Sequence, residues 1–197
     1  MPDDTSSYWN QRYRDGDTGW DLGRVSPPLQ EYFTQLKDKN ISILIPGCGN
    51  SYEAAWLLDN GFSNITLLDI SEVLVHRLRE KFDDPRLTLL AGDFFTHTGQ
   101  YDLIIEQTFF CSLDPASRIN YLEQTHKLLR PGGKLAGLLF DRDFPGGPPY
   151  GGHKPEYKQL LEKRFTLKTL EPCYNSIKPR AGTELFFIAI CPAANTT

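Results

Sequence analysis

From residue 41 the chain alternates short, continuous apolar runs with stretches whose apolar positions recur every three or four residues. Ile41-Ser42-Ile43-Leu44-Ile45 is rich in β-branched residues and bounded by Pro46-Gly47, the pattern of a buried strand. Residues 51–60 follow as a helix stopped by Gly61. A second strand spans 65–68 and ends at Asp69. A second helix spans 71–82, with Ser71 as its cap and Val73, Leu74, Leu78 and Phe82 as its apolar stripe. A third strand at 87–90 runs toward Asp93, and a fourth lies at 103–105. A helix over 115–129 is capped by Asp114 and stopped by Pro131-Gly132-Gly133. Then come a fifth strand at 135–140, a Gly- and Pro-rich loop at 141–153, a helix at 155–163, and strands at 166–170 and 185–190.

Strands joined through helices run parallel, with helices packed on both faces of the sheet. The last two strands have no helix between them and fit an antiparallel hairpin at one edge. The expected fold is therefore α/β: a seven-stranded, mostly parallel sheet with a C-terminal antiparallel hairpin. With 197 residues the chain suits one domain with one core. Residues 1–40 show two helical stretches, 7–14 and 28–37, and read as a lid over a core at 41–192, with 193–197 as a flexible tail.

Charge narrows the partners. A net charge of −4 argues against gripping nucleic-acid phosphates. The polar start, Met1-Pro2-Asp3-Asp4-Thr5, leads into no apolar stretch that would serve as a signal or a membrane span. Cys48, Cys111, Cys173 and Cys191 lie far apart with no C-x-x-C pair, so no metal site is expected, and thiols in a cytoplasmic setting are.

The candidate chemistry sits at the ends of strands, where open parallel sheets bind ligands. The first strand ends in Pro46-Gly47-Cys48-Gly49-Asn50-Ser51, and Gly47 and Gly49 allow close backbone approach, although glycines also simply make turns. Asp69, at the end of the second strand, suits a ribose diol, with Ile70 beside it. Asp93 suits an adenine amino group and the backbone of Phe94 a ring nitrogen; a turn cap is the other reading of Asp93. A dinucleotide site needs a third glycine under its pyrophosphate, and Tyr52 holds that place here. S-adenosylmethionine has no pyrophosphate.

Several segments, in order, carry a family likeness: Trp9-Asn10-Gln11-Arg12-Tyr13, Thr18-Gly19-Trp20-Asp21-Leu22-Gly23-Arg24, Ile45-Pro46-Gly47-Cys48-Gly49, Leu68-Asp69-Ile70-Ser71, Phe109-Phe110-Cys111 and Gly146-Gly147-Pro148-Pro149-Tyr150. In these the chain resembles class I S-adenosylmethionine-dependent methyltransferases of the thiopurine S-methyltransferase family, nearest to the thiol and halide branch. The resemblance implies a Rossmann-like fold, S-adenosylmethionine as cofactor with S-adenosylhomocysteine as product, and a monomer acting on a small molecule. It also implies cofactor contacts from Trp9, Tyr13, Trp20, Gly47, Asp69, Asp93 and Phe94. Tyr13 stands where the family often has Trp, and Gln107 where the branch can have Tyr. Aromatic faces attract a sulfonium by roughly 0.5–2 kcal/mol; without the likeness, Trp9 and Trp20 read as core residues.

Methyl transfer to sulfur needs alignment and exclusion of water more than a base. No acid–base triad is evident. His76 and His126 fall in helices and read as surface residues, His97 is isolated, and His153 adjoins the Pro-rich loop. Phe110, Arg118 and Tyr150 are the substrate-pocket candidates. Arg118 suits an anionic substrate or a helix-end salt bridge, and Tyr150 suits thiol orientation or packing. Methylation at nitrogen or oxygen is the alternative, although Glu106-Gln107-Thr108-Phe109 replaces the Asn/Asp-Pro-Pro-aromatic pattern of amino-group enzymes. A nucleotide-dependent oxidoreductase and a non-catalytic cofactor-binding protein are the other classes.

Overall fold

The computed structural model describes residues 5–193, and the chain forms two compact units, one up to His97 and one from Thr98. The first runs α1 (Thr5–Asp15), α2 (Pro27–Thr34), β1 (Ile43–Pro46), α3 (Tyr52–Asp59), β2 (Ile65–Asp69), α4 (Glu72–Lys81) and β3 (Leu87–Ala91). β2 pairs in parallel with both β1 and β3. Every residue of β1 and β2 is buried, as their unbroken apolar runs require, whereas β3 is half-exposed. α4 begins at Ser71, whose hydroxyl accepts from the Leu74 N–H, with Glu72 in the first turn and Arg79 and Lys81 in the last. Those charges complement the helix dipole.

The second unit runs β4 (Tyr101–Gln107), α5 (Arg118–Leu128), β5 (Leu129–Phe140), α6 (Lys154–Leu161), β6 (Thr166–Pro172) and β7 (Glu184–Ile190). β4 and β5 are parallel, and β7 is antiparallel to both β5 and β6. The strand order is β3-β2-β1 in the first unit and β4-β5-β7-β6 in the second. This is the mostly parallel α/β sheet with a C-terminal antiparallel pair that the sequence pattern predicts. No helix among the described residues is long and apolar enough to cross a membrane.

The boundaries differ in instructive places. Residues 115–117 form a 3-10 turn, with the Asp114 side chain accepting from the Ala116 N–H, and the α-helix begins only at Arg118. Pro131-Gly132-Gly133 is no helix cap: α5 ends at Leu128 and the motif lies inside β5. Pro131 forces the residue before it into extended backbone, so the strand starts before the motif. α2 stops at Thr34 rather than at 37, and β4 is longer than 103–105 at both ends. On α4 the buried positions are Leu74, Val75 and Leu78, while Val73 and Phe82 are only half-buried. His126 is half-buried with its ring edge-on to Phe165, not a surface residue. The tail expected at 193–197 lies outside the described residues, Ala193 excepted.

Candidate functional site

In the first unit the loop after β1 turns on two glycines in the left-handed region, Gly47 at φ 56° and Gly49 at φ 52°. Most side chains would be strained there. The turn brings the Gly49 N–H within 3.5 Å of the Asp69 carboxylate, and the Ser71 N–H donates to the other carboxylate oxygen at 2.9 Å. Asp69 is buried, and burial pushes its carboxyl up to about 6 against the pull of these N–H donors. Burial, with Asp69 adding to it, also raises the neighbouring Cys48 thiol and Tyr13 phenol. Ile70 is half-buried, and its carbonyl accepts from the Ser6 hydroxyl at 3.3 Å.

The N-terminal aromatics gather against this loop. The Trp9 and Trp20 rings meet edge-to-face at 5.5 Å, Tyr13 and Trp20 do so at 5.8 Å, and the Arg12 guanidinium lies 5.0 Å from the Trp20 ring centre. The Tyr13 hydroxyl would stand 3.9 Å from a Cβ added at Gly49. Trp9, Tyr13, Trp20, Gly49 and Asp69 thus form one chain of contacts. Asp93 lies just beyond β3; it is exposed, and its side chain accepts from the Phe95 N–H at 2.9 Å, so the turn-cap role is occupied. Phe94 is buried beside it. A carboxylate offers about four lone-pair sites. Its backbone N–H donors leave Asp69 lone-pair capacity for a ribose diol, and the residues present fit S-adenosylmethionine.

In the second unit Phe110 is buried, with its ring edge-on to Tyr121 at 5.2 Å and to Tyr157 at 5.9 Å. The Arg118 guanidinium lies 5.0 Å from the Phe110 ring centre, is 2% exposed, and donates to Glu156 at 2.7 Å and to the Gly151 carbonyl at 2.6 Å. The salt-bridge role is therefore filled, and it ties α5 to α6 and to the Pro-rich loop. Tyr150 is half-buried; its N–H donates to the Cys111 carbonyl at 2.6 Å. A Cβ at Gly147 would sit 2.4 Å from the Tyr150 ring, so the loop needs glycine there. Gln107 ends β4, and its Oε1 is buried with no hydrogen-bond partner among the described residues. His153 is exposed between Asp141, at 3.4 Å, and Asp143, at 3.3 Å.

Three residues escape the sequence reading. Asn10 accepts from the Ser71 hydroxyl at 2.7 Å and the Val73 N–H at 3.2 Å, so α1 supplies a cap for α4. Asp21 accepts from the Asn50 amide and, at 3.3 Å, from the Tyr52 hydroxyl, holding the glycine loop. Glu106 is a buried carboxylate among aromatics. Its one signal is an acid directly following the apolar run Leu103-Ile104-Ile105.

Comparison with known proteins places this geometry. The family model for thiopurine S-methyltransferase matches residues 4–186. The chain is 33% identical over 192 residues to "Probable thiol methyltransferase 2" of Arabidopsis thaliana, covering 93% of this chain and 84% of that protein. It is 29% identical over 184 residues to "Thiocyanate methyltransferase 1" of Brassica oleracea, covering 89% of this chain and 81% of that protein. Among solved structures, the 1,6-didemethyltoxoflavin-N1-methyltransferase of Burkholderia thailandensis, which holds S-adenosylhomocysteine, superposes with a TM-score of 0.76 at 21% identity, covering 95% of this chain and 87% of that one. That likeness is one of fold.

Proposed function

The chain belongs to the thiopurine S-methyltransferase family and is an S-adenosylmethionine-dependent methyltransferase, and from that premise we propose that its acceptor is a small soft nucleophile, a thiol first of all. The relatives named for thiol and thiocyanate methylation support this reading. The observation that carries it is the character of the second unit around Phe110. The carboxylate there, Glu106, is 1% exposed and already accepts from three donors, while His153 is exposed and flanked by two aspartates. Neither is a free general base. Thiols, hydrosulfide and large halides need little such help, because a thiol ionises near neutral pH beside a positive charge.

In this proposal Asp69 accepts from the ribose diol, the Gly47 and Gly49 backbone admits the cofactor closely, and Ile70 lines it. Asp93 and the Phe94 backbone read the adenine. Trp9, Tyr13 and Trp20 face the sulfonium end, and the buried Gln107 Oε1 takes a hydrogen bond from a ligand. The cofactor supplies a methyl group already activated on positive sulfur. The protein's part is to orient the acceptor and keep water away. A monomer belongs to the same reading, as do a cytoplasmic setting and the lack of a nucleic-acid partner, which the four free cysteines and the net charge of −4 support.

The test is a panel of acceptors followed by S-adenosylhomocysteine release. Hydrosulfide and aromatic thiols are expected to turn over, and iodide faster than chloride, because iodide sheds water more easily. Turnover confined to amines, alcohols or a macromolecule would overturn the proposal.

A further inference from the structure

Building on the methyl-transfer reading, we propose that Glu106 is the positioning residue of the acceptor side: its buried carboxylate holds the turn that carries Phe110 and, through Cys111, the loop that carries Tyr150. One oxygen accepts from the Phe109 and Phe110 N–H groups, both at 2.8 Å, and the other from the Tyr121 hydroxyl at 2.7 Å. The two N–H bonds clamp the chain just where it leaves β4. Thr108, between them and the strand, has φ 64°, a region that few residues other than glycine adopt and that surrounding structure has to enforce.

From this clamp the contacts run outward on two routes. The next carbonyl, Cys111, receives the Tyr150 N–H at 2.6 Å. The Phe110 ring lies under the Arg118 guanidinium, which donates to the Gly151 carbonyl at 2.6 Å. The Pro-rich loop is therefore pinned at two successive residues, and both pins trace back to the turn that Glu106 holds.

An ionised carboxylate grips N–H donors more strongly than a neutral acid. Burial pushes the Glu106 carboxyl up to about 7, against the pull of the Phe110 N–H, the Tyr121 hydroxyl and the Phe109 N–H. Burial raises Tyr121 on α5 and Tyr157 on α6, and it pushes Cys111 in the turn up to about 12. The guanidiniums of Arg118 and Arg180 favour the Cys111 thiolate, and Arg180 is itself paired with Glu184 of β7 at 3.3 Å. Burial outweighs the bonds to Glu106, so the closed turn favours the neutral acid: it is held best below pH 7 and loosens as pH rises through 7.

The test uses the full chain and its Glu106→Gln, Glu106→Asp and Glu106→Ala variants. Hydrogen-exchange protection factors at 108–113 and 147–152 are measured at pH 6 and pH 8 without substrate. Wild type should be better protected at pH 6 than at pH 8, and Glu106→Gln, which keeps the shape but cannot ionise, should lose the difference. With an aromatic thiol, kcat/KM should carry a fall as pH rises through about 7 that Glu106→Gln lacks; ionisation of the thiol itself affects both alike. Glu106→Ala should raise the acceptor KM by about tenfold or more while the cofactor KM moves by about twofold or less, with Glu106→Asp between. Should the alanine variant fail to fold, the glutamine variant decides. Equal protection at both pH values in wild type, or an identical pH profile of kcat/KM in Glu106→Gln, overturns the proposal. Failure of wild type on every thiol would instead refute the methyl-transfer reading, and the exchange comparison would still judge Glu106.

Discussion

Asp69 illustrates how much a single buried carboxylate does in this fold. Its oxygens hold the Gly49 and Ser71 N–H groups, so it organises the loop after β1 and the start of α4 together. Hydrogen bonds to a charged group contribute about 1.5–3 kcal/mol, and Asp69→Ala should weaken S-adenosylhomocysteine binding by that amount. Calorimetry checks this, and an unchanged Kd removes Asp69 from the cofactor site. Because its carboxyl sits near 6, affinity should also fall as pH drops below about 6. Stability runs the other way. Asp69 near 6 and Glu106 near 7 both bind a proton more tightly folded than unfolded. Their contribution is fully present below the unfolded carboxyl value of about 4 and is lost as pH rises through 6 to 7. The urea midpoint of wild type should therefore decline between pH 5 and pH 8 relative to that of Glu106→Gln. A difference that stays constant with pH contradicts the assignment for Glu106. At Tyr150 the expected split is chemical: Tyr150→Phe should slow thiol turnover and spare iodide if the hydroxyl handles a proton, whereas equal loss for both acceptors means positioning alone.

At the scale of elements, α1 is bound to α4 more firmly than a free lid would be. Asn10 caps α4, the Ser6 hydroxyl donates to the Ile70 carbonyl, and Arg77 donates to the Tyr13 carbonyl at 2.8 Å. Asn10→Ala removes a cap and should cost about 0.5–2 kcal/mol, seen as faster hydrogen exchange across α1 and the first turn of α4. Residues 16–24 are joined to the glycine loop through Asp21, and their exchange should slow when S-adenosylhomocysteine is added, while equal exchange with and without ligand would make the segment a fixed part of the core. These side-chain links explain what the sequence hides. The strands of the first unit were legible because β1 and β2 are buried on every residue and read as unbroken apolar runs. Asn10, Asp21 and Glu106 were not, since each acts on a backbone or side chain whose nearness only the tertiary fold creates. The end of α5 was misread for a local reason: Pro-Gly-Gly after a helix resembles a cap, yet Pro131 pushes its predecessor into β geometry and the glycines continue the strand.

Across the whole molecule the order of elements and the glycine loop pointed to a nucleoside-binding α/β fold. The narrower likeness in the N-terminal aromatics, Phe109-Phe110-Cys111 and Gly146 to Tyr150 pointed to the family, and both agree with the match over residues 4–186. The acceptor was the least legible part. It depends on the pocket's chemistry rather than on a motif, and Arg118, one of three candidates from sequence, is buried with Glu156 and the Gly151 carbonyl as its partners. The central claim is that methyl goes to soft sulfur. An aromatic acceptor carrying both a thiol and an amino group, such as 2-aminothiophenol, puts that claim to the most direct test, because both nucleophiles arrive in one molecule at one affinity. Mass spectrometry of the product formed with S-adenosylmethionine should find the methyl group on sulfur, with release of S-adenosylhomocysteine in equal amount; methyl on nitrogen would contradict the account.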